Sequence, residues 1–313
     1  MAFPPSSPQG GYGYPLPSAV CARHPDRPTG LRCVRCDRSA CPECLREAAV
    51  GYQCVDCVAE GARAQRYPTT AAGARPSDRE LVIPVLIAVN LAVFVVTVAQ
   101  AGSLGGNATA SLFQQWALSP LAVAGGQLWR LLTSGFLHFG PVHLAFNMIA
   151  LWVIGRDLET VLGRGRFVAV YLVSLLGGSA VVFLLENVRS LTAGASGAVY
   201  GLMGGLAVVL LRLRRSPGPA LGIIAINVAI TFVVPGLSLL GHLGGLAFGT
   251  AATAAMVYAP AARRVPVQVA AMVALVAVII GLVLSADTRY GDVRDCRSEP
   301  TLSCSVGPDP VEP

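Results

Sequence analysis

Beyond residue 80 the chain is a succession of long apolar runs broken by short arginine-bearing stretches, and that alternation leaves few folds open. A helix needs roughly 20 apolar residues to cross the hydrocarbon core of a bilayer. Seven segments answer to that description: 81–101, 142–162, 167–186, 196–212, 219–235, 239–258 and 266–285. The fourth and fifth are short, and Asn227 interrupts the fifth. Composition agrees, with 54% hydrophobic and 13% charged residues against about 25% charged in a soluble protein. The fold class these runs predict is an all-α polytopic membrane protein embedded in the lipid bilayer.

The charges set a topology. The formal net charge of +6 is carried by arginine, since the chain has no lysine, and the arginines cluster between apolar runs instead of forming the basic face that nucleic acid would require. Residues 1–18 are rich in Pro, Gly and Ser and lack the basic start and apolar core of a cleavable signal, so they are expected to form a disordered leader that stays in the cytoplasm. With that start, one set of breaks carries Arg75, Arg79, Arg164, Arg166, Arg212, Arg214, Arg215, Arg263 and Arg264, and the other carries Arg130 and Arg189. That asymmetry fits the positive-inside rule for an odd number of spans and predicts an extracytoplasmic tail over 287–313. Out there Cys296 and Cys304 have a compartment that permits a disulfide, two unpaired thiols being the alternative. The stretch 102–141 holds Trp116, Trp129 and Phe136, is too polar to span, and is expected to lie at the membrane surface.

Ahead of a linker at 61–79, residues 19–60 carry a different chemistry. CARH (21–24), CVRC (33–36), CPEC (41–44) and CVDC (54–57) supply seven cysteines and one histidine in four pairs, enough for two tetrahedral zinc ions. Only four residues separate Cys36 from Cys41, which favours interleaved pairing over sequential pairing. Cys21, His24, Cys41 and Cys44 would then hold one ion, and Cys33, Cys36, Cys54 and Cys57 the other. A module this small has too little apolar surface to fold alone, so the metal is expected to supply folding energy. Four protein ligands per ion leave no open position, which marks structural sites, and disulfides would conflict with a cytoplasmic location. The spacing resembles that of B-box-type zinc fingers, which implies a cytoplasmic protein partner without naming one.

Polar residues within membrane spans are costly and are candidates for function. His143 and Asn147 stand four apart on one face of the second span, Ser196 opens the fourth, and His242 lies near the start of the sixth. Spans two, four and six run in the same direction, so these four residues fall at one depth near the outer leaflet. Gly197, Gly201 and Gly205 repeat every four residues, as do Gly241, Gly245 and Gly249, giving two smooth stripes that let helix backbones approach. Close approach would bring His242 within reach of Ser196, the arrangement that activates a serine nucleophile. Tyr200, one turn below Ser196, is placed to pack on the His242 ring. Oxyanion donors are available in the Ser196 amide at a helix N-terminus and in the side chains of His143 and Asn147. No carboxylate lies at that depth: Asp157 and Glu159 sit near the other end of the second span, and Glu186 ends the third. A Ser/His dyad is expected, not a triad.

The segments WRLLTSGFLHFGPVHLAFNM (129–148), GASGAVYGLMG (194–204) and GHLGGLAFG (241–249) resemble the three signature segments of the rhomboid intramembrane serine proteases, over roughly residues 80–286. The resemblance implies a rhomboid-like six-helix core plus one C-terminal transmembrane helix, preceded by the small zinc-binding module. It implies Ser196 as nucleophile, His242 as general base, His143 and Asn147 as oxyanion residues, and Tyr200 stacked on the base. Gly194 and Gly197 flank the nucleophile within the motif, His138 matches a histidine with a structural or water-network role, and Trp129 and Arg130 match a first-loop pair. The implied substrates are transmembrane proteins, and the implied catalysis needs no cofactor.

Each residue alone has a plainer reading. Ser196 suits helix packing, His242 a proton path, His143 and Asn147 interhelical hydrogen bonds, Tyr200 the core, and Trp129 and Arg130 interfacial anchoring. A catalytically silent adaptor that binds membrane clients and recruits a partner through the zinc module is the alternative from another class. A transporter would call for an internal repeat or broken paired helices, which the sequence does not show.

Overall fold

The computed structural model describes residues 19–64, 69–75, 80–234, 236–288, 290, 293–297 and 303–306. The leader over 1–18 and Arg79 lie outside the described residues. Two compact units divide the chain, Met1–Tyr67 and Pro68–Pro313.

The first unit pairs β1 (Val20–Cys21) with β2 (His24–Pro28) and β3 (Leu45–Glu47) with β4 (Tyr52–Cys54), both antiparallel, and ends in α1 (Val55–Ala64). Its buried cluster consists of Cys21, Cys33, Cys41, Cys44, Cys54 and Cys57 with only Ala40 and Leu45 beside them. Two aliphatic side chains cannot offset the ordering of some 40 residues at roughly 1–2 kcal/mol each, so the cysteines must do more than pack.

The second unit is helical. After α2 (Val82–Ala101) come three short helices, α3 (Ser111–Trp116), α4 (Pro120–Ala124) and α5 (Arg130–Thr133). Six long helices follow: α6 (Gly140–Leu162), α7 (Arg164–Leu185), α8 (Ser196–Arg212), α9 (Gly218–Val233), α10 (Leu239–Tyr258) and α11 (Arg264–Asp287). A hairpin of β5 (Val293–Arg297) and β6 (Ser303–Val306) closes the described chain. The seven apolar segments thus coincide with α2 and α6 through α11. Four of them, α2, α7, α10 and the helix ending at Asp287, are long and apolar enough to span; residues 130–136 with α6, bent by 93°, make a fifth if taken as one. Helices α8 and α9, with 17 and 16 residues, are shorter, about 25 Å at 1.5 Å per residue.

Helix α8 lies at the centre, with Ala198 and Leu202 fully buried, and it packs on α6, α7 and α10. The glycine stripes do what their spacing predicts. A Cβ at Gly245 would strike the Gly197 carbonyl, and one at Gly249 would strike the Gly201 Cα, so α8 and α10 meet backbone to backbone. A third helix joins them, since a Cβ at Gly178 of α7 would lie 2.6 Å from the Gly241 oxygen. Helices α2, α9 and α11 are peripheral, and their exposed Val85, Val95, Ile226, Phe232, Val273 and Ile280 form the apolar surface a bilayer solvates.

Buried charges in this unit have structural work. Glu159 is buried and accepts from the backbone N–H groups of Leu81, Val82 and Ile83 at 2.9, 3.1 and 3.1 Å, satisfying the start of α2 where the helix dipole favours a carboxylate. Arg130 is fully buried, which favours the first-loop alternative over that of an interfacial anchor. It donates to the Gln114 and Ala117 carbonyls at 2.7 and 2.6 Å and to Gln127 Oε1 at 2.7 Å, holding the loop between α3 and α5 together. Trp129 stays half exposed, its indole N–H on the Gln115 carbonyl at 3.3 Å. Cys296 and Cys304 are disulfide-bonded, and the Cys296 carbonyl accepts from Gln127 Nε2 at 2.9 Å, seating the hairpin on the same loop.

Candidate functional site

Ser196 is the first residue of α8, and the backbone that leads into it is tightly specified. Gly194 has φ +138°, a conformation that side chains with a Cβ rarely adopt, and a Cβ there would also lie 2.8 Å from His143 Cε1. Its N–H is held by the Ser134 carbonyl at 3.0 Å, and the next N–H, of Ala195, points to His138 Nε2 at 3.4 Å. His138 therefore fixes the loop that presents Ser196, and its own carbonyl is held by Asn107 Nδ2 at 2.8 Å. Because Nε2 accepts, the proton of this neutral imidazole belongs on Nδ1, a buried atom with no partner.

His242 enters from the first turn of α10, whose N-cap Ser238 accepts from the Gly241 N–H at 3.0 Å. The approach of the glycine stripes brings His242 Nε2 to 2.9 Å from Ser196 Oγ. Tyr200 lies parallel to the imidazole, centroids 4.1 Å apart and planes 8° apart. The other ring nitrogen, Nδ1, is 2.9 Å from Thr231 Oγ1 on α9. Both imidazole nitrogens are thus engaged by hydroxyls. Glu186 comes no nearer than α10's cap, where its Oε2 accepts from Ser238 Oγ at 2.9 Å.

His143 sits across the site from His242. Its Nδ1 accepts from the Phe139 N–H at 3.4 Å, which puts the ring proton on Nε2, and that buried Nε2 has no partner. An orphaned buried donor is costly and calls for an explanation. Here it faces a cavity of about 30 Å³ lined by Ser134, His143, Gly194, Ser196, Ser238 and His242 among others, room for a water molecule or a substrate oxygen. Asn147 is buried one turn further along α6, with Nδ2 on the His143 carbonyl at 2.9 Å, and is not among the side chains lining that cavity. Gly197 meets the Gly241 oxygen at 3.3 Å from where its Cβ would stand, so its role is close packing.

Thr231 is absent from the sequence reading. Asn227, four residues before it on the same face, marked the fifth segment as unusual, but a threonine in an apolar helix carries no signal of its own, and its neighbour on α10 is a tertiary fact.

The first unit brings its eight ligands together in the interleaved pairing. Cys21, His24, Cys41 and Cys44 form one cluster and Cys33, Cys36, Cys54 and Cys57 the other, each with ligand atoms within 4.8 Å of one another. His24 Nδ1 lies 3.8, 3.5 and 3.3 Å from the three sulfurs, and Cys36 and Cys54 sulfurs are 3.8 Å apart. A tetrahedron with zinc bonds of 2.0–2.3 Å has edges of about 3.5–3.8 Å, so the donor sets fit zinc. Backbone N–H donors favour thiolates: that of Cys41 draws Cys21 down to about 6, and that of Cys54 does the same to Cys33. Arg38 Nε, 3.4 Å from Cys36 Sγ, adds an outer partner.

Comparison with known proteins bears on the helical unit. The family model for the Rhomboid domain matches residues 125–259. The rhomboid protease GluP of Bacillus subtilis is 40% identical over 157 residues, covering 49% of this chain and 31% of GluP. YdcA, a rhomboid protein of the same organism, is 33% identical over 134 residues, 41% of this chain and 67% of that protein. The rhomboid protease GlpG of Salmonella paratyphi A is 34% identical over 157 residues, 50% of this chain and 52% of GlpG. The chain therefore spans about half or less of GluP and GlpG, while its match to YdcA spans two thirds of that protein. With seven apolar helices, two zinc-fitting clusters and this match, the chain is a multi-pass membrane protein that belongs to the rhomboid family.

Proposed function

We propose that the protein is an intramembrane serine endopeptidase that cleaves transmembrane segments of other membrane proteins near the outer membrane face, with residues 80–286 as the protease domain and residues 19–60 as a cytoplasmic zinc module. The observation that carries the reading is the 2.9 Å contact between Ser196 Oγ and His242 Nε2 at the edge of a polar cavity. Ser196 Oγ attacks the scissile carbonyl as its proton passes to Nε2, and the C–N bond breaks as that proton moves to the leaving amine. Water then repeats the exchange in reverse order and frees Ser196. The tetrahedral oxyanion takes hydrogen bonds from His143 Nε2–H and the Ser196 N–H, with Asn147 behind them. Substrate must unwind to enter, because the polar groups of a helical peptide bond are already paired. Cys21, His24, Cys41 and Cys44, and Cys33, Cys36, Cys54 and Cys57, would each hold a structural zinc ion that lends the first unit rigidity.

The test is cleavage of a helix-destabilised membrane substrate by the full chain in vesicles. Ser196→Ala and His242→Ala should each reduce cleavage to background with the fold intact, and a serine-directed fluorophosphonate should label wild type and not Ser196→Ala. Undiminished cleavage by either variant would refute the mechanism. A wild-type chain that neither cleaves nor labels would favour the adaptor reading instead.

A further inference from the structure

Helix α9 buries only two of its side chains, Ala220 and Thr231, and the second of these lies against the imidazole of His242. Thr231 Oγ1 is 2.9 Å from His242 Nδ1, 3.1 Å from the Tyr200 hydroxyl and 3.0 Å from the Asn227 carbonyl one turn back on its own helix. A threonine hydroxyl has one proton and two lone pairs, so the three contacts can be assigned by donor and acceptor count. A carbonyl oxygen only accepts, which commits the Thr231 proton to Asn227. Tyr200 then donates to Thr231, and the remaining lone pair faces Nδ1. Only an Nδ1–H fits that lone pair. The imidazole proton is therefore on Nδ1, and Nε2, left with its lone pair, accepts the Ser196 hydroxyl proton. The other tautomer would set two lone pairs against each other between Nδ1 and Thr231 Oγ1 with no proton to share, and its Nε2–H could only donate to Ser196, leaving no base.

On the reading of Ser196 and His242 as nucleophile and base, we propose that Thr231 is a positioning residue: its hydroxyl, held by Asn227 and Tyr200, fixes the tautomer and the ring plane of His242, the task a carboxylate performs in a triad. A neutral acceptor in a buried site avoids the cost of a buried carboxylate. It also stabilises the imidazolium less than a charge would, which places the demand on orientation. Tyr200 contributes twice, by stacking on the ring and by donating to the hydroxyl that orients it.

The test separates the hydroxyl from the methyl. Thr231→Val keeps the shape and removes the hydroxyl, whereas Thr231→Ser keeps the hydroxyl and removes the methyl. Cleavage by the full chain in vesicles should show kcat down about 10- to 100-fold in Thr231→Val, the worth of one buried hydrogen bond, with KM within about twofold of wild type. Fluorophosphonate labelling of Ser196 should slow by a similar factor, and Thr231→Ser should stay within about threefold of wild type. A packing role gives the reverse order, with the valine near wild type and the serine impaired, and that result overturns the proposal. Should Thr231→Val fail to fold, Thr231→Ala against Thr231→Ser decides, because both lack the methyl. Equal rates for that pair also overturn it. The catalytic reading is tested apart from this: if wild type is inactive the reading itself fails, whereas an active wild type matched by Thr231→Val removes only Thr231.

Discussion

His143 and Asn147 share one face of α6 a single turn apart, yet they stand differently toward the cavity beside Ser196. The imidazole donor at Nε2 is buried and unpartnered at the cavity wall, while the Asn147 amide spends one N–H on the His143 carbonyl and lies behind it. Removing one preorganised oxyanion donor costs about 10²–10³ in kcat, so His143→Ala should fall in that range. Asn147→Ala should lose only about tenfold, through slack in the His143 backbone, as kcat measurements on purified variants will show. Comparable losses would place both amide and imidazole on the oxyanion. Polar side chains that membrane spans otherwise avoid drew attention to this face of α6. Which of the two reaches the cavity was not legible, because it depends on the 93° bend between residues 130–136 and α6 and on the room that Gly194, lacking a Cβ, leaves for the His143 ring.

At the scale of helices, the bond between Ser196 and His242 depends on how closely α8 and α10 approach. A methyl at Gly245 would meet the Gly197 carbonyl, carbon and Cα at once, all backbone, with no side chain free to yield. Gly245→Ala should therefore push the helices apart, destabilise the fold by about 1–3 kcal/mol as overpacking does, and cut fluorophosphonate labelling of Ser196 by more than the stability loss explains. Gly281→Ala on α11, where a Cβ meets nothing within 4 Å, is the matched control and should leave both unchanged. The repeat at 197, 201 and 205 against 241, 245 and 249 made this pairing readable, since small residues every four positions are a helix-contact pattern. The part played by Gly178 on α7 was hidden, as a single glycine pair has no period. The burial of Arg130 was hidden for a related reason: an arginine after a tryptophan suits a first-loop pair and an interfacial anchor equally, and only the folded loop shows the Gln114, Ala117 and Gln127 oxygens around its guanidinium. Arg130→Met should strand two backbone carbonyls and lower the thermal midpoint, with lost hydrogen bonds to a charged group worth about 1.5–3 kcal/mol each.

Taken as a whole, the molecule joins two units that are stabilised by different physics. The helical unit buries a large apolar core, whereas the buried cluster of the first unit has Ala40 and Leu45 and otherwise thiols. Without metal the first unit should unfold, and its thiols should return to the ordinary value near 8.5. Near pH 7 all seven are then protonated, and binding two zinc ions requires seven thiolates, so zinc uptake should release about seven protons per chain. A persistent metal-free fold would behave otherwise. There Cys21 and Cys33, drawn down to about 6 by backbone donors, have already lost most of their protons, while burial holds Cys44 up to about 11 and the Cys36 side chain pushes Cys57 up to about 12. Uptake would then release fewer protons, since two of the seven thiols are already ionised, with Cys44 and Cys57 among those that still give one up. In both cases protons leave as metal enters, so affinity must rise with pH and zinc must be lost as pH falls; the number released separates the two. Zinc titration calorimetry of the chelator-stripped full chain, in buffers of different ionisation enthalpy, counts them. A count near seven makes the metal the source of the first unit's folding energy, and a count clearly below seven would show that its fold stands without it.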